Sequence, residues 1–453
     1  MSTMRLHSIE LLATMTGEEI TDGAVLVRDG WIEQVGTTSE VTTTADESVD
    51  LSGHVVLPGL VNTHQHLWQT LTRAVPAAQD AALIDWLTVL FPVWEKLTPD
   101  AVRTAAAVGA AELALSGCTT VADHHYVWPN GVRIDDIVDA VTQVGLRAHL
   151  TRGGMSIGAS QGGLAADALT ETEDIIVEAT EHAITRFHDP EPGAMLRIAA
   201  GPPSVLSTSA QVLRELAALA SRQGVGLHTH LAETASEAER CRLAVGEAPL
   251  PYLMSLDWSG PHVWFAHAVH LDADSIASLA EAGAGVAHCP TSNMRLGSGI
   301  APVREFLTAG LRVGLGVDGA ASNDSGDLLT EARQAMLLAR LADGLRGGPG
   351  EHGFLTARQA LQMATTGGAD VLGRDDIGVL APGRAADIIA VDLDRPRFSG
   401  QHDPLAALVF CGANGVDQSW VHGRRVVEDG QLRTVDVGDL LTEHGAHAAE
   451  LVA

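Results

Sequence analysis

Positive charge is what this 453-residue sequence has least of. It sets 57 Asp and Glu against 28 Lys and Arg, a formal net charge of −29, and Lys96 is its single lysine. Gripping nucleic acid or an anionic lipid surface takes clustered cations, so both partner classes are excluded. Cysteine is also sparse. The four (Cys118, Cys241, Cys289, Cys411) are far apart and none belongs to a CxxC pair, which argues against disulfides and thiolate zinc sites and fits a reducing cytoplasm. No run of about 18 apolar residues occurs, and the N-terminus lacks a basic stretch followed by an apolar core, so neither a membrane span nor a secretory signal is expected. Aromatic residues are only 4% of the chain.

Hydrophobic residues make up 46% and charged residues 19%, the composition of a folded globular protein. The first fifty residues read as short strands, with GAVLVRDGWIEQVG a hairpin turning at Asp29-Gly30. Near the other end, residues 386–394 form a strand and 419–430 a hairpin turning at His422-Gly423. Two β segments flanking a long middle predict one small β-sandwich built from both termini, residues 1–56 and 376–453 with its tail. Between them, residues 57–375 alternate strand and helix. Strands begin at Val55, Cys118, Leu146, Leu196, Gly224, His262, Ala284 and Arg312. The stretch TPDAVRTAAAVGAAELALSG is a helix with Thr98 as N-cap, Pro99 in first position and Gly117 as terminator. Eight such units predict an α/β fold, a (β/α)8 barrel of the triosephosphate isomerase type, whose strands are apolar because both faces are buried.

Chemistry in such barrels gathers at the C-terminal ends of the strands. There this sequence places His64 and His66 after the first strand, His230 after the fifth, His267 after the sixth and Asp318 after the eighth. Alternate strand residues point the same way, so His64 and His66 can face one point. Three or four imidazoles and a carboxylate suit one divalent metal ion, zinc above all with iron as the alternative. A carboxylated lysine bridging two metals is excluded, because the fourth strand reads RIAAGPPS and Lys96 follows the first. His228, His262 and His288 read as hydrogen-bonded core or rim histidines.

The motifs LPGLVNTHQH, HTHLAE, FAH and GVDGAASND, flanked by terminal β segments, resemble the amidohydrolase superfamily along essentially the whole chain. Within it they are similar to the mononuclear, cytosine-deaminase-like branch. The resemblance implies that His64, His66, His230 and Asp318 hold the metal. It implies that Glu233 shuttles a proton to the substrate ring, that His267 orients the attacking water, and that Asp318 accepts the water's proton. The activity implied is deamination by hydroxide generated at the metal. A catalytically dead scaffold would have lost these residues, and all are present. The nucleic-acid deaminase motif with PCxxC is absent.

The segment after the first strand is far longer than a usual βα loop and should form a lid. It and the next connection hold Trp68, Trp86, Trp94, Tyr126 and Trp128, half of the chain's eight Trp and two Tyr, which favours a flat heterocycle held by stacking. Trp94 reads as lid packing. NTHQHLWQTLTRAVPAAQ, SGCTTVADHHYVWPNG and DGAASNDSGDLLTEARQAMLLAR resemble the 8-oxoguanine deaminases and, less closely, the triazine hydrolases. The resemblance implies conversion of 8-oxoguanine to urate and ammonia, with Gln69 on the purine amide edge. The alternatives are removal of an amine from an s-triazine, or deamination of isocytosine, guanine or a pterin. Retention of Asp318 favours an amino leaving group, which needs a proton, over chloride. Trp86, Trp128, Arg152 and Asn323 are further pocket candidates from loop position and polarity. The partner expected is a small heterocycle, and a barrel with an apolar lid is expected to self-associate as a homo-oligomer.

Overall fold

The computed structural model describes residues 2–452. Eight parallel strands close into a barrel: β1 (Leu60–Gln65), β2 (Cys118–His125), β3 (Arg147–Arg152), β4 (Leu196–Ala200), β5 (Gly226–Leu231), β6 (Val263–His267), β7 (Gly285–His288) and β8 (Arg312–Leu315). Closure runs from β8 back to β1 through Leu315 and Asn62. Every residue of β1, β2 and β3 is buried, as strands covered on both faces require. The helix Pro99–Leu115 begins as its sequence dictates, with the Thr98 hydroxyl accepting the Ala101 N–H at 3.3 Å.

The terminal segments meet in one nine-stranded mixed sheet. Strands Glu19–Arg28 and Trp31–Thr37 pair antiparallel across Asp29 and Gly30, both at positive φ (49° and 85°), the geometry of a tight hairpin turn. Leu6, Ile9, Leu12 and Val25 from the N-terminal half share a core with Ile388 and Trp420 from the C-terminal half. Neither segment could bury its apolar side chains alone.

The apolar run beginning at Val55 was expected to be one strand and is two. His54–Pro58 pairs antiparallel with Ile388–Asp392 in the terminal sheet, and only from Leu60 does the chain enter the barrel. Gly59 is the joint: a side chain there would meet the Thr119 hydroxyl at 2.1 Å. The C-terminal tail also does more than trail from the sheet. It forms the helix Val437–Val452 on the barrel wall, where the Thr104 hydroxyl donates to Glu443 (2.9 Å) and His444 meets the Thr70 hydroxyl (3.1 Å). Sheet and barrel are joined by a buried ion pair, Arg147 with Asp387 at 3.0 Å.

The connection after β1 runs through short 3₁₀ turns into the helix Leu83–Trp94 over the barrel mouth. Trp86 anchors it, its indole N–H donating to the Ala321 carbonyl at 3.1 Å. Among the described residues no helix is long and apolar enough to cross a membrane, and all four cysteines are free.

Candidate active site

His64 lies within β1, and His66 one residue beyond its end. His230 lies at the end of β5, His267 ends β6, and Asp318 lies three residues past β8. The Asp318 N–H donates to the His64 carbonyl at 3.0 Å, so the loop after β8 is pinned to β1. Asp318 Oδ1 then stands 3.2 Å from His64 Nε2 and 3.1 Å from His66 Nε2, while His66 Nε2 is 3.3 Å from His230 Nε2.

The tautomers follow from the outer hydrogen bonds. His66 Nδ1–H donates to the His124 carbonyl (2.7 Å), and His230 Nδ1–H to the Pro203 carbonyl (2.6 Å). His228 Nδ1–H donates to the Trp264 carbonyl (2.9 Å), so its Nε2 accepts the proton on His64 Nδ1 at 2.8 Å. Each Nε2 of His64, His66 and His230 is therefore a bare lone pair aimed at the others and at a carboxylate. That arrangement is repulsive unless a cation sits among them. Donors about 2.1 Å from a tetrahedral ion stand about 3.4 Å apart, so the set fits a zinc-sized divalent cation. Burial holds the His230 imidazole down to about 3 and His64 well below its usual range, which keeps both neutral and able to ligate.

The other two groups are tuned the opposite way. His267 donates through Nδ1–H to Asn293 Oδ1 (2.9 Å), and its Nε2 lies 3.8 Å from Glu233 Oε2 and 4.0 Å from Asp318 Oδ2. Burial opposes protonation of His267, but the two carboxylates and Asn293 outweigh it, and its pKa is raised. Burial also raises Glu233 above the ordinary glutamate range, against the pull of His267. The mouth thus holds one carboxyl suited to carry a proton, Glu233, beside the Asp318 carboxylate that faces the histidine nitrogens. Ser292 (2.6 Å) and Ser322 (2.9 Å) donate to Asp318 Oδ2 and fix which oxygen faces the histidines. The backbones of His267 and Asp318 lie in the left-handed region (φ 71° and 62°), strain of the kind that persists where tertiary contacts over-determine a site.

A cavity opens from this cluster beneath the helix Leu83–Trp94. Gln69 and Trp86 line it, as does Tyr126. The Gln69 Oε1 is buried without a partner. Three expected pocket residues do not line it. Trp128 donates its indole N–H to the Gly153 carbonyl (2.6 Å) and packs under Arg152, whose guanidinium lies 4.3 Å from its ring. Arg152 is consumed by a two-pronged pair with Glu171 (2.7 Å on each arm). Asn323 donates to Glu331 (2.9 Å) and to the Val317 carbonyl (2.6 Å), bracing the loop that carries Asp318. Trp68 and Trp94 pack on one another. Sequence pattern had also passed over His228 as plain core, although the repeated HxH at 228 and 230 was a signal. His124 was overlooked as well: its Nδ1 is buried without a partner, and it offers a ring nitrogen near those of His64, His66 and His230. Ser292 left no trace in the pattern.

Residues 55–426 match the model of the amidohydrolase family. The chain belongs to that family. It is 45% identical over 434 residues to an 8-oxoguanine deaminase of Pseudomonas aeruginosa, a match covering 95% of each chain. It is 41% identical to an isoxanthopterin deaminase from an unidentified prokaryote, over 86% of this chain and 84% of that one. Among solved structures, the zinc complex of an atrazine chlorohydrolase from Arthrobacter aurescens superposes with a TM-score of 0.93 at 33% identity, covering 98% of this chain and 100% of that one. The fold expected from strand order is therefore the amidohydrolase barrel, and its members' use of a divalent metal agrees with the donor set at this barrel mouth.

Proposed function

We propose that this protein is a zinc-dependent hydrolytic deaminase of a small amino-substituted N-heterocycle, and that the heterocycle is 8-oxoguanine, converted with one water to urate and ammonia. The observation that carries the reading is one cavity whose walls hold His66, His230, His267 and Asp318 together with a buried, protonatable Glu233 and the unpartnered amide oxygen of Gln69. The identity of 45% to an 8-oxoguanine deaminase, against 41% and 36% to a pterin deaminase and a triazine ethylaminohydrolase, supports the choice of ring.

A divalent cation held by His64, His66, His230 and Asp318 would lower the pKa of water to near 7 and so make a nucleophile available near neutrality. Asp318, whose Oδ2 lies 4.0 Å from His267 Nε2, takes one proton of the water. Glu233 gives its proton to the ring nitrogen beside the amino carbon, which makes that carbon electrophilic. Asp318 passes its proton to the amino group, the C–N bond breaks and ammonia leaves. The remaining hydroxyl proton restores Glu233 as the carbonyl forms, so atoms and protons balance. His267, polarised by both carboxylates, holds the attacking oxygen in line. Gln69 presents an acceptor, and a donor beside it, to the lactam N–H and C=O of the six-membered ring.

A second reading, removal of an alkylamine from a hydroxytriazine, is favoured by one feature: Leu83, Ile84 and Leu87 give the cavity an apolar wall. Ammonia or amine release by zinc-loaded protein tests both readings. The panel is 8-oxoguanine, guanine, isocytosine, isoxanthopterin and N-ethylamino-hydroxytriazine. Turnover of the triazine alone refutes the purine reading. No turnover on any member, with about one metal bound per chain, refutes the deaminase itself.

A further inference from the structure

One polar strip of the cavity takes no part in the deamination chemistry. The chain leaves Glu233, passes the extended Thr234 and enters the helix Ala235–Val245. Glu237 and Arg240, three residues apart on that helix, line the same cavity as Glu233, Asp318 and Gln69. One oxygen of Glu237 serves the backbone, since Oε2 accepts the Glu233 N–H at 2.9 Å at the helix start. The other, Oε1, is buried and has no partner. Arg240 is half-buried in the cavity wall, and among the described residues it makes no ion pair and no hydrogen bond. The two side chains are spaced to pair with one another and do not. A free acceptor and a free charged donor therefore line the same cavity.

We propose that Glu237 and Arg240 set ring specificity, Arg240 donating to a carbonyl on the five-membered ring of the substrate and Glu237 accepting from the ring N–H beside it. This rests on the purine reading and goes further by naming the groups that distinguish an oxidised purine from its parent. In 8-oxoguanine the five-membered ring edge runs N–H, C=O, N–H. In guanine the carbonyl is replaced by C–H and one N–H by a bare nitrogen. A carboxylate and a guanidinium complement the first edge; the second gives the guanidinium nothing to bind at the C–H. The order along the wall agrees. Glu233 addresses the ring nitrogen beside the amino carbon, and one ring carbon separates that atom from the first N–H of the five-membered ring. On the helix that follows, Arg240 stands one turn, about 4.5 Å of rise, beyond Glu237, whose carboxylate already reaches the Glu233 backbone. Gln69 meets the lactam edge from the opposite side.

The test compares kcat/KM for 8-oxoguanine and guanine in zinc-loaded wild type, Arg240→Met, Arg240→Lys and Glu237→Gln, each checked by thermal melt. Arg240→Met should lose about 10- to 100-fold on 8-oxoguanine, mostly through KM, with guanine little changed. Arg240→Lys should recover part of that loss. Glu237→Gln keeps an oxygen for the Glu233 N–H and should lose in the same direction as Arg240→Met. If wild type deaminates 8-oxoguanine but Arg240→Met keeps the wild-type ratio of the two substrates, this assignment is overturned and the substrate stands. If wild type does not deaminate 8-oxoguanine, the purine reading falls and this assignment with it.

Discussion

Replacing Asp318 with asparagine separates the two roles proposed for that carboxylate, metal donor and proton acceptor. Oδ1 faces the His64 and His66 lone pairs at 3.2 and 3.1 Å, and Oδ2 accepts hydroxyl bonds from Ser292 and Ser322. An asparagine fits the same space with its carbonyl toward the histidines. Its NH₂ then lies where Oδ2 was, and the two serine hydroxyls rotate to accept from it. The fold therefore survives: exchanging two charge-assisted hydrogen bonds for neutral ones costs about 1–3 kcal/mol. The metal site keeps three imidazoles and loses its one anionic donor. Catalysis loses its proton acceptor outright, a loss of about 10²- to 10⁴-fold in kcat, or about 3–5 kcal/mol of transition-state stabilisation. The assay is single-substrate turnover at saturating zinc, with metal content measured on the same sample so that weak binding is not mistaken for slow chemistry. A fully loaded Asp318→Asn variant turning over within about tenfold of wild type would refute the proton relay.

Glu233→Gln should bind metal normally yet lose about 10²- to 10⁴-fold in kcat. Because burial raises the Glu233 pKa and the acid form is the active one, wild-type activity should persist above the ordinary glutamate range and fall as pH rises through the raised value. Loss of that alkaline limb in the variant, seen in a kcat/KM–pH profile, checks the assignment. Gln69→Ala should raise KM about tenfold and leave the melting temperature almost unchanged. Arg152→Ala should do the reverse, destabilising by about 3 kcal/mol because the nearly buried Glu171 loses its partner, and urea titration beside KM distinguishes the two. Stability should also fall on acidification. Burial holds His125 and His288 at about 3, below the unfolded value of 6.5, so the unfolded chain binds protons that the folded one refuses as pH drops from 6.5 toward 3. Burial sets Glu331 and Asp123 at about 7, which works the other way between their ordinary values of 4.5 and 3.8 and about 7. His288→Leu should flatten the acid side of a plot of melting temperature against pH, and an unchanged slope would count against the buried neutral imidazole.

The barrel, the terminal sheet and the convergence of His64, His66, His230 and Asp318 at one end of the barrel were legible in the sequence because each rests on a local period. Strand alternation places His64 and His66 toward one centre, and apolar runs punctuated by alanine-rich helices repeat eight times. Local period also set the limits of that reading. The run from Val55 is apolar throughout, and nothing in it marks that Gly59 must admit the Thr119 side chain where the chain crosses from sheet to barrel. Trp128, Arg152 and Asn323 are polar or aromatic residues near the right strand ends, yet their partners at Gly153, Glu171 and Glu331 turn them from the cavity.

The sequence by itself determined which chemical groups are available and on which strand ends they sit. Tertiary structure alone decided which way those groups point and in which protonation state they stand. Side-chain direction beyond a strand end depends on contacts distant in sequence, such as Trp86 on Ala321 and His64 on His228. Protonation depends on desolvation, and only the closed barrel removes the water.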